Sequence, residues 1–259
     1  MMKLVFILLV NTIIISANDI VELKDGNFIS IKGTINEKTT NKFMIDASQL
    51  SSDIDDIYIY IHSGGGSVMD GMRIIEYMKV LEDTYTVHCI SDYSASMAFV
   101  ILQYCQHRHT TISSLLMQHQ MSLGVKNNLF NMNNYLDMIN KMNINIDNTQ
   151  AKRIGLTYED FKNKITNDWW IYGTDTVEEN VSDDIISIKC HQKLYKKTET
   201  VNVETFFGDI KITFNYCPLV RYPISIKYNK EHFEDMDDAD NYIQQSIRDY
   251  LHPHSDHRI

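Results

Sequence analysis

Two apolar runs separated by a short turn dominate the hydrophobic pattern of the chain. Thr86–Ile90 has the character of a strand, and Met97–Cys105 is apolar on nearly every side. This pattern predicts a strand, a tight turn and a fully buried helix. It places Ser96 at the helix start, beside unpaired backbone N–H groups and the positive end of the helix dipole. Ser96 is therefore either a candidate nucleophile or an N-cap, and the cap is the commoner role of serine there.

A similar unit comes earlier in the chain. Ile57–Ile61 is apolar or aromatic on both faces, which predicts a strand in the centre of a sheet. It leads into Gly64–Gly66 and then a helix at Val68–Leu81. Three glycines allow a close backbone approach with outward N–H groups, but the Lys-Ser or Lys-Thr of a nucleotide-binding loop is missing. The alternation predicts an α/β fold with parallel strands, and both turns should face one crevice at the carboxyl ends of neighbouring strands.

The remaining pattern is weaker and predicts shorter or more polar elements. It gives a strand at Asn27–Gly33, a helix at Asn36–Leu50, extended pieces at His109–Ile112 and Leu115–Met117, amphipathic helices at Leu129–Ile146 and Tyr158–Ile165, a β pattern at Val201–Tyr216, a strand at Tyr222–Tyr228 and a helix at Asn241–Leu251. Three histidines near the end, His252, His254 and His257, invite a metal site, but a frayed polar terminus is the better interpretation. No metal and no cofactor is expected.

Length and charge limit the classes of function. With 259 residues and 44% apolar composition, the chain can form one sizeable domain with an appendage or two small domains. A formal charge of −10 argues against binding to nucleic acid, which requires clustered basic residues.

The N-terminus has the layout of a secretory signal. A basic start, the apolar run Leu4–Ile15 and small residues near Ala17 predict a cleaved signal peptide at residues 1–17. The protein is then expected in the secretory pathway, in a lumen or outside the cell. An uncleaved membrane anchor is the alternative.

Four cysteines are few for a disulfide framework in a chain of this size. Cys89 and Cys105 lie in apolar patterns, and we expect them to be buried free thiols. Cys190 and Cys217 lie in the polar C-terminal part, where they could pair in an oxidising compartment.

Four local motifs in order resemble those of the Clp protease proteolytic subunit, in the crotonase superfamily. Ile57–Ser67 resembles its strand and Ser-Pro-Gly-Gly-Ser turn, and Ser94–Ala98 its Ala-Ala-Ser-Met-Gly turn. Met117–Gln120 resembles its Met-Ile-His-Gln, and Asn167–Trp170 its Arg-Asp followed by two aromatic residues. The resemblance covers about Phe28–Ile188, most of the chain after the leader.

The resemblance implies a serine endopeptidase that cleaves unfolded proteins or peptides through an acyl-enzyme. Ser96 would be the nucleophile, His119 the general base and Asp168 the carboxylate that orients it. The N–H groups of Gly66 and Met97 would form the oxyanion hole. Two alternatives remain open: a catalytically inactive subunit that serves as a scaffold or binding protein, and a crotonase-type acyl-CoA enzyme.

The resemblance also implies an architecture and partners. The fold would be a spiral of β-β-α units with a long handle-type helix, spanning residues 18–190, followed by a small β/α extension at residues 191–259. We expect a ring or another homo-oligomer built partly on the Leu129–Met142 helix. An ATP-dependent unfoldase is a further possible partner, and this chain carries no nucleotide motif for one. The chain departs from the family at Asp92, Gly64 and Ala98.

Overall fold

The computed structural model describes residues 20–124, 129–205 and 208–227. The strands are β1 (Ile20–Leu23), β2 (Phe28–Lys32), β3 (Asp56–Ser63), β4 (Thr86–Ala95), β5 (His107–Gln118), β6 (Trp169–Tyr172), β7 (Asp184–Ile185), β8 (Ser187–Cys190), β9 (Thr198–Thr205), β10 (Gly208–Asn215) and β11 (Ser225–Lys227). The helices are α1 (Glu37–Ala47), α2 (Val68–Leu81), α3 (Met97–Tyr104), α4 (Leu129–Ile154), α5 (Tyr158–Lys164) and α6 (Asp175–Glu178).

A mixed sheet with the order β2-β3-β4-β5-β6 forms the centre of the molecule. Strands β2 to β5 run parallel, β6 is antiparallel to β5, and β7 pairs with β5 off this path. Helices α1, α2 and α3 are the crossovers between its successive parallel strands. The predicted α/β fold is confirmed, and parallel pairing brings the carboxyl ends of β3 and β4 to the same edge.

Helix α3 is buried almost completely. Every residue from Met97 to Gln103 is buried, as its nearly continuous apolar sequence predicts. The single polar interruption, Gln103, donates from Nε2 to the carbonyl oxygen of Val181 at 3.0 Å. It also accepts at Oε1 from Arg108 Nη1 at 2.7 Å, so its burial leaves no polar atom unpaired.

The two short pieces expected between His109 and Met117 are one continuous strand, β5. The register between β4 and β5 shifts between Ser91 and Tyr93, where the ladder is irregular. The hydroxyl of Ser114 donates to the carbonyl oxygen of Ser91 at 2.7 Å. A polar serine interrupts the apolar pattern in the sequence, yet its side chain bonds across to β4 at the point where the register shifts. Strand β4 likewise continues through the expected turn as far as Ala95.

A buried arginine fixes β5, the strand that ends beside His119. Arg108 is 2% exposed, and its Nη2 lies 2.5 Å from Oδ1 of Asp183. Arg108 Nη1 also donates to the carbonyl oxygen of Asn180 at 3.0 Å. Arg108 Nε donates to the same Oδ1 at 3.1 Å, and these charge-assisted contacts hold the segment before β7 in a defined position on β5.

The C-terminal part forms smaller sheets. The alternating pattern at Val201–Tyr216 is the hairpin β9–β10, with β11 antiparallel to β10. Strand β8 pairs in parallel with β1, and a disulfide joins Cys190 to Cys217. The expected helix at Asn241–Leu251 and the three terminal histidines lie outside the described residues.

The expectation of free thiols at Cys89 and Cys105 is wrong, because the two form a disulfide. Cys89 lies near the start of β4, and Cys105 directly follows the end of α3. A strand followed by a helix that returns across it brings the first part of the strand beside the helix end. The two Cα atoms are 6.0 Å apart, a normal separation for a disulfide.

The expected signal peptide, residues 1–17, lies outside the described residues. Within the described ranges, no helix has both the length and the apolar character needed to cross a bilayer.

Candidate functional site

Ser96 occupies a strained turn between β4 and α3. Its backbone has φ 54° and ψ −121°, a region that residues other than glycine rarely adopt. The Ser96 N–H donates to the carbonyl oxygen of Met117 at 2.9 Å, which ties the turn to β5. Ser96 is at the N-cap position, but its side chain makes no capping hydrogen bond. The hydroxyl group is therefore not used in the role that serine most often has at a helix start.

Ser96 faces a cleft of about 450 Å³, including the part open to solvent. His119, Gly66 and Met97 line the same cleft. The expectation that the glycine turn and the serine turn face one crevice agrees with this geometry. Asp168 is exposed and is not among the residues that line the cleft.

His119 directly follows the end of β5, and its backbone N–H donates to Gln118 Oε1 at 3.2 Å. Gln118 pairs with Trp169 at the end of the antiparallel ladder between β5 and β6. Extending this register by one residue beyond the ladder places His119 opposite Asp168. Among the described residues, no hydrogen bond joins Ser96 to His119 or His119 to Asp168. The strands thus bring these three residues to one end of the sheet without forming a hydrogen-bonded triad.

The glycine turn packs tightly against the Ser96 turn. Gly65 has φ 94° and Gly66 has φ 145°, so both have the backbone freedom that glycine supplies. The carbonyl oxygen of Gly65 accepts from Ile35 N at 2.8 Å, which fixes the turn on its far side. No backbone hydrogen bond among the described residues uses the N–H of Gly66 or of Met97. Two free donors therefore flank Ser96 in the cleft, as an oxyanion hole requires.

Asp92, a departure from the family pattern close to Ser96, is fully paired. Its carboxylate accepts from the Tyr60 hydroxyl at 2.6 Å and contacts His62 Nδ1 at 2.7 Å. Arg221, from the C-terminal part, donates from Nη2 at 2.6 Å. Burial raises the pKa of Asp92, but the bonds from His62 and Tyr60 and the charge of Arg221 outweigh it and leave the pKa below its ordinary value. The added carboxylate therefore docks the C-terminal part on β4, and its charge is compensated there.

Asp147 is a residue of the cleft that the sequence pattern did not single out. It lies on α4 with Asn143, Ile146 and Gln150, which also line the cleft. Asp147 is 5% exposed, and its Oδ2 accepts from Asn143 Nδ2 at 3.0 Å. Burial raises the pKa of Asp147 to about 6, although the Asn143 bond and the charge of Lys162 act against this. One feature of the sequence could have indicated this position. Asp147 directly follows Ile146, on a helix face that continues the apolar stripe.

Replacing Asp147 with asparagine is expected to stabilise the protein near pH 7.5. The pKa of about 6 lies above the ordinary value of 3.8, so the folded state binds this proton more tightly than the unfolded state does. The contribution of this group to the free energy of unfolding is largest below pH 3.8, where both states carry the proton. It falls as the pH rises, and it is lost once the pH has passed about 6. At about 1.4 kcal/mol per pKa unit, Asp147→Asn should raise the free energy of unfolding by up to about 3 kcal/mol.

Urea unfolding at pH 7.5 and at pH 4 measures this effect. The gain should be present at pH 7.5 and should largely disappear at pH 4. The control is Asp83→Asn, which removes an equal charge from an exposed position outside the cleft. A gain of the same size at both pH values would contradict the assignment of a buried, ionised carboxylate.

Comparison with known proteins agrees with the geometry. The sequence model of one family, Clp protease, matches residues 15–189. The chain is 28% identical over 136 residues to ATP-dependent Clp protease proteolytic subunit 1 of Prochlorococcus marinus (strain MIT 9312), covering 52% of this chain and 69% of that protein. It is 22% identical over 161 residues to the ATP-dependent Clp protease proteolytic subunit of Borreliella afzelii (strain PKo), covering 61% of this chain and 82% of that protein. Since the family match spans more than half of the chain, this protein belongs to the Clp protease family.

Proposed function

We propose that the protein is a serine endopeptidase that hydrolyses peptide bonds of unfolded proteins or peptides. The observation that carries this proposal is the strained turn at Ser96, whose hydroxyl group caps no helix and faces the same cleft as His119. Backbone strain of this kind persists where the surrounding structure maintains it and is concentrated at functional sites. Membership of the Clp protease family supports peptidase chemistry at this cleft.

In the proposed mechanism, the Ser96 Oγ attacks the carbonyl carbon of the scissile peptide while His119 takes its proton. The N–H groups of Gly66 and Met97 stabilise the oxyanion of the tetrahedral intermediate. His119 then protonates the leaving amine, and an acyl-enzyme remains on Ser96. Water, deprotonated by His119, hydrolyses the ester and frees the serine.

Asp168 has the role of orienting His119 in this mechanism. It is exposed, and it follows in register opposite His119 just beyond the β5–β6 ladder. Catalytic hydrogen bonds are often long in a free enzyme and shorten when substrate binds. Substrate binding in the cleft would thus bring the carboxylate of Asp168 to the imidazole of His119.

A second candidate is a catalytically inactive subunit with a binding or scaffold role. The observation in its favour is that no hydrogen bond joins Ser96 and His119 in the described part of the chain. Such a subunit would bind peptides in the cleft without acylation of Ser96. The labelling experiment below separates the two candidates.

The experiment is labelling of the intact protein with a fluorophosphonate, followed by mass spectrometry of its peptides. This probe phosphonylates activated serine hydroxyls, so we expect a single modified site at Ser96. Ser96→Ala is the control and should remain unlabelled. An unmodified Ser96 in the intact protein, with a serine hydrolase labelled under the same conditions, would rule out the peptidase and favour the inactive subunit.

Partners and location complete the proposal. The protein forms a homo-oligomeric ring, and the exposure of Met138 and Ile144 on α4, at 46% and 45%, supports an interface there.

The names of the two relatives describe them as ATP-dependent, and a separate ATP-dependent unfoldase is the corresponding partner proposed for this chain. Two disulfides are consistent with an oxidising compartment, which supports the secretory route proposed for the leader.

A further inference from the structure

Apolar side chains line part of the cleft beside Ser96. Met97 and Val100 come from α3, Met121 follows β5, and Ile146 comes from α4. They offer apolar surface against which the hydrocarbon part of a substrate side chain gains free energy by burial.

Helix α4 also supplies polar residues to the cleft, namely Asn143, Asp147 and Gln150. Gln118 donates from Nε2 to Gln150 Oε1 at 2.6 Å, so these two amides largely pair with each other. Gln118 replaces the isoleucine of the Met-Ile-His-Gln motif, which adds a polar side chain to the cleft in this chain.

Asp147 retains capacity to bind a cation. Among the described residues, its one hydrogen bond is the bond from Asn143 to Oδ2, and it forms no ion pair. The other titratable groups that face it are Lys162 on α5, which lies over the ring of Tyr158, and His119 in the same cleft. A carboxylate that is 5% exposed, with Oδ1 unpaired, gains more from a cationic partner than a surface carboxylate does.

Resting on the peptidase function proposed above, we propose that the cleft selects substrates with arginine or lysine at P1, the residue whose carbonyl carbon Ser96 attacks. The methylene stem of the P1 side chain lies along Met97, Val100 and Ile146. Its charged head group donates to Asp147. Long basic side chains bury their stems against apolar surface while their charged head group stays in polar surroundings, and the lining of the cleft offers both kinds of surface.

The first test compares two fluorogenic peptides that differ only at P1, where one has arginine and the other citrulline. Citrulline has nearly the same shape and no charge. The full-length protein with its disulfides intact should show a kcat/KM ratio of arginine over citrulline of at least about tenfold. In Asp147→Asn the ratio should fall to near one, whereas Asp83→Asn should keep the wild-type ratio. A ratio near one in the wild type, or an unchanged ratio in Asp147→Asn, would overturn the proposal.

The second test does not depend on hydrolysis. Calorimetry measures the binding of benzamidine, a small planar cation, to Ser96→Ala and to the double variant Ser96→Ala/Asp147→Asn. The proposal requires affinity in the single variant that the double variant loses by at least about tenfold. Equal affinity, or no binding at millimolar benzamidine, would overturn the cation site. Binding that depends on Asp147, combined with no hydrolysis of any peptide by the wild type, would uphold the cation site and overturn the peptidase.

Discussion

Ser96→Ala is expected to lower kcat for peptide hydrolysis by at least about 10⁴-fold. The proposed mechanism loses its nucleophile, and the N–H groups of Gly66 and Met97, as the proposed oxyanion hole, then support only a slow direct attack by water. His119→Ala should cost about as much, and the double variant should lose little more than either single variant, because the two residues act as one unit. Hydrolysis of a fluorogenic peptide, measured at saturating substrate, gives each value.

Folding provides the control for this experiment. The Ser96 hydroxyl makes no capping bond, and alanine retains the Cβ atom in the same strained turn. Ser96→Ala should therefore change the free energy of unfolding by less than about 0.5 kcal/mol. Activity of a well-folded Ser96→Ala protein within tenfold of the wild type would show that another group performs the reaction.

Gly65→Ala is expected to reduce kcat/KM by at least about 100-fold, since it disturbs the turn that holds the oxyanion donors. An added Cβ would lie 2.6 Å from the carbonyl oxygen of Ala95, 2.8 Å from Ser96 Cβ and 2.9 Å from Met97 N. These atoms belong to the Ser96 turn, so the glycine turn and the Ser96 turn must move apart. The φ of 94° adds strain that alanine does not relieve, and the free energy of unfolding should also fall by more than about 1 kcal/mol.

Gly64→Ala is the matched control for Gly65→Ala. A Cβ at Gly64 would lie 3.9 Å from the Tyr93 ring, an ordinary van der Waals contact. The rate of the Gly64 variant should stay within about twofold of the wild type, since a surface change without a clash costs little. Both variants are assayed with the same peptide, and their unfolding is measured in urea. Equal rates for the two variants would contradict a specific contact between Gly65 and the Ser96 turn.

The fold was predictable where the apolar pattern was continuous. Ile57–Ile61 and Met97–Cys105 are apolar on both faces, and burial of such segments leaves few alternatives to a central strand and a core helix. The sequence pattern gave the wrong extent for β5, where a polar side chain bonds to the neighbouring strand. Ser114 suggests a break in the sequence, but its bond to Ser91 keeps β5 continuous. Pairings over long separations, such as that of Arg221 with Asp92, cannot be read from local periodicity.

The candidate site was predictable to the extent that it lies in short motifs. The glycine turn and the Ser96 turn line one cleft, as their positions at the carboxyl ends of neighbouring strands predict, and His119 lines the same cleft. Asp147 was not predictable in this way, because a single acidic residue on a helix normally faces solvent. Its location became clear only from the packing of α4 against the cleft. The disulfide of Cys89 was missed for a related reason, since pairing depends on how a helix returns over its strand.

That disulfide encloses the Ser96 turn in a covalent ring. The bond between Cys89 and Cys105 joins the start of β4 to the end of α3, and Ser96 lies between them. A single break in the backbone within this ring would leave both fragments attached to each other. Under the proposed peptidase function, one such nick beside Ser96, made by another protease or by a second copy of the chain, would not release either half.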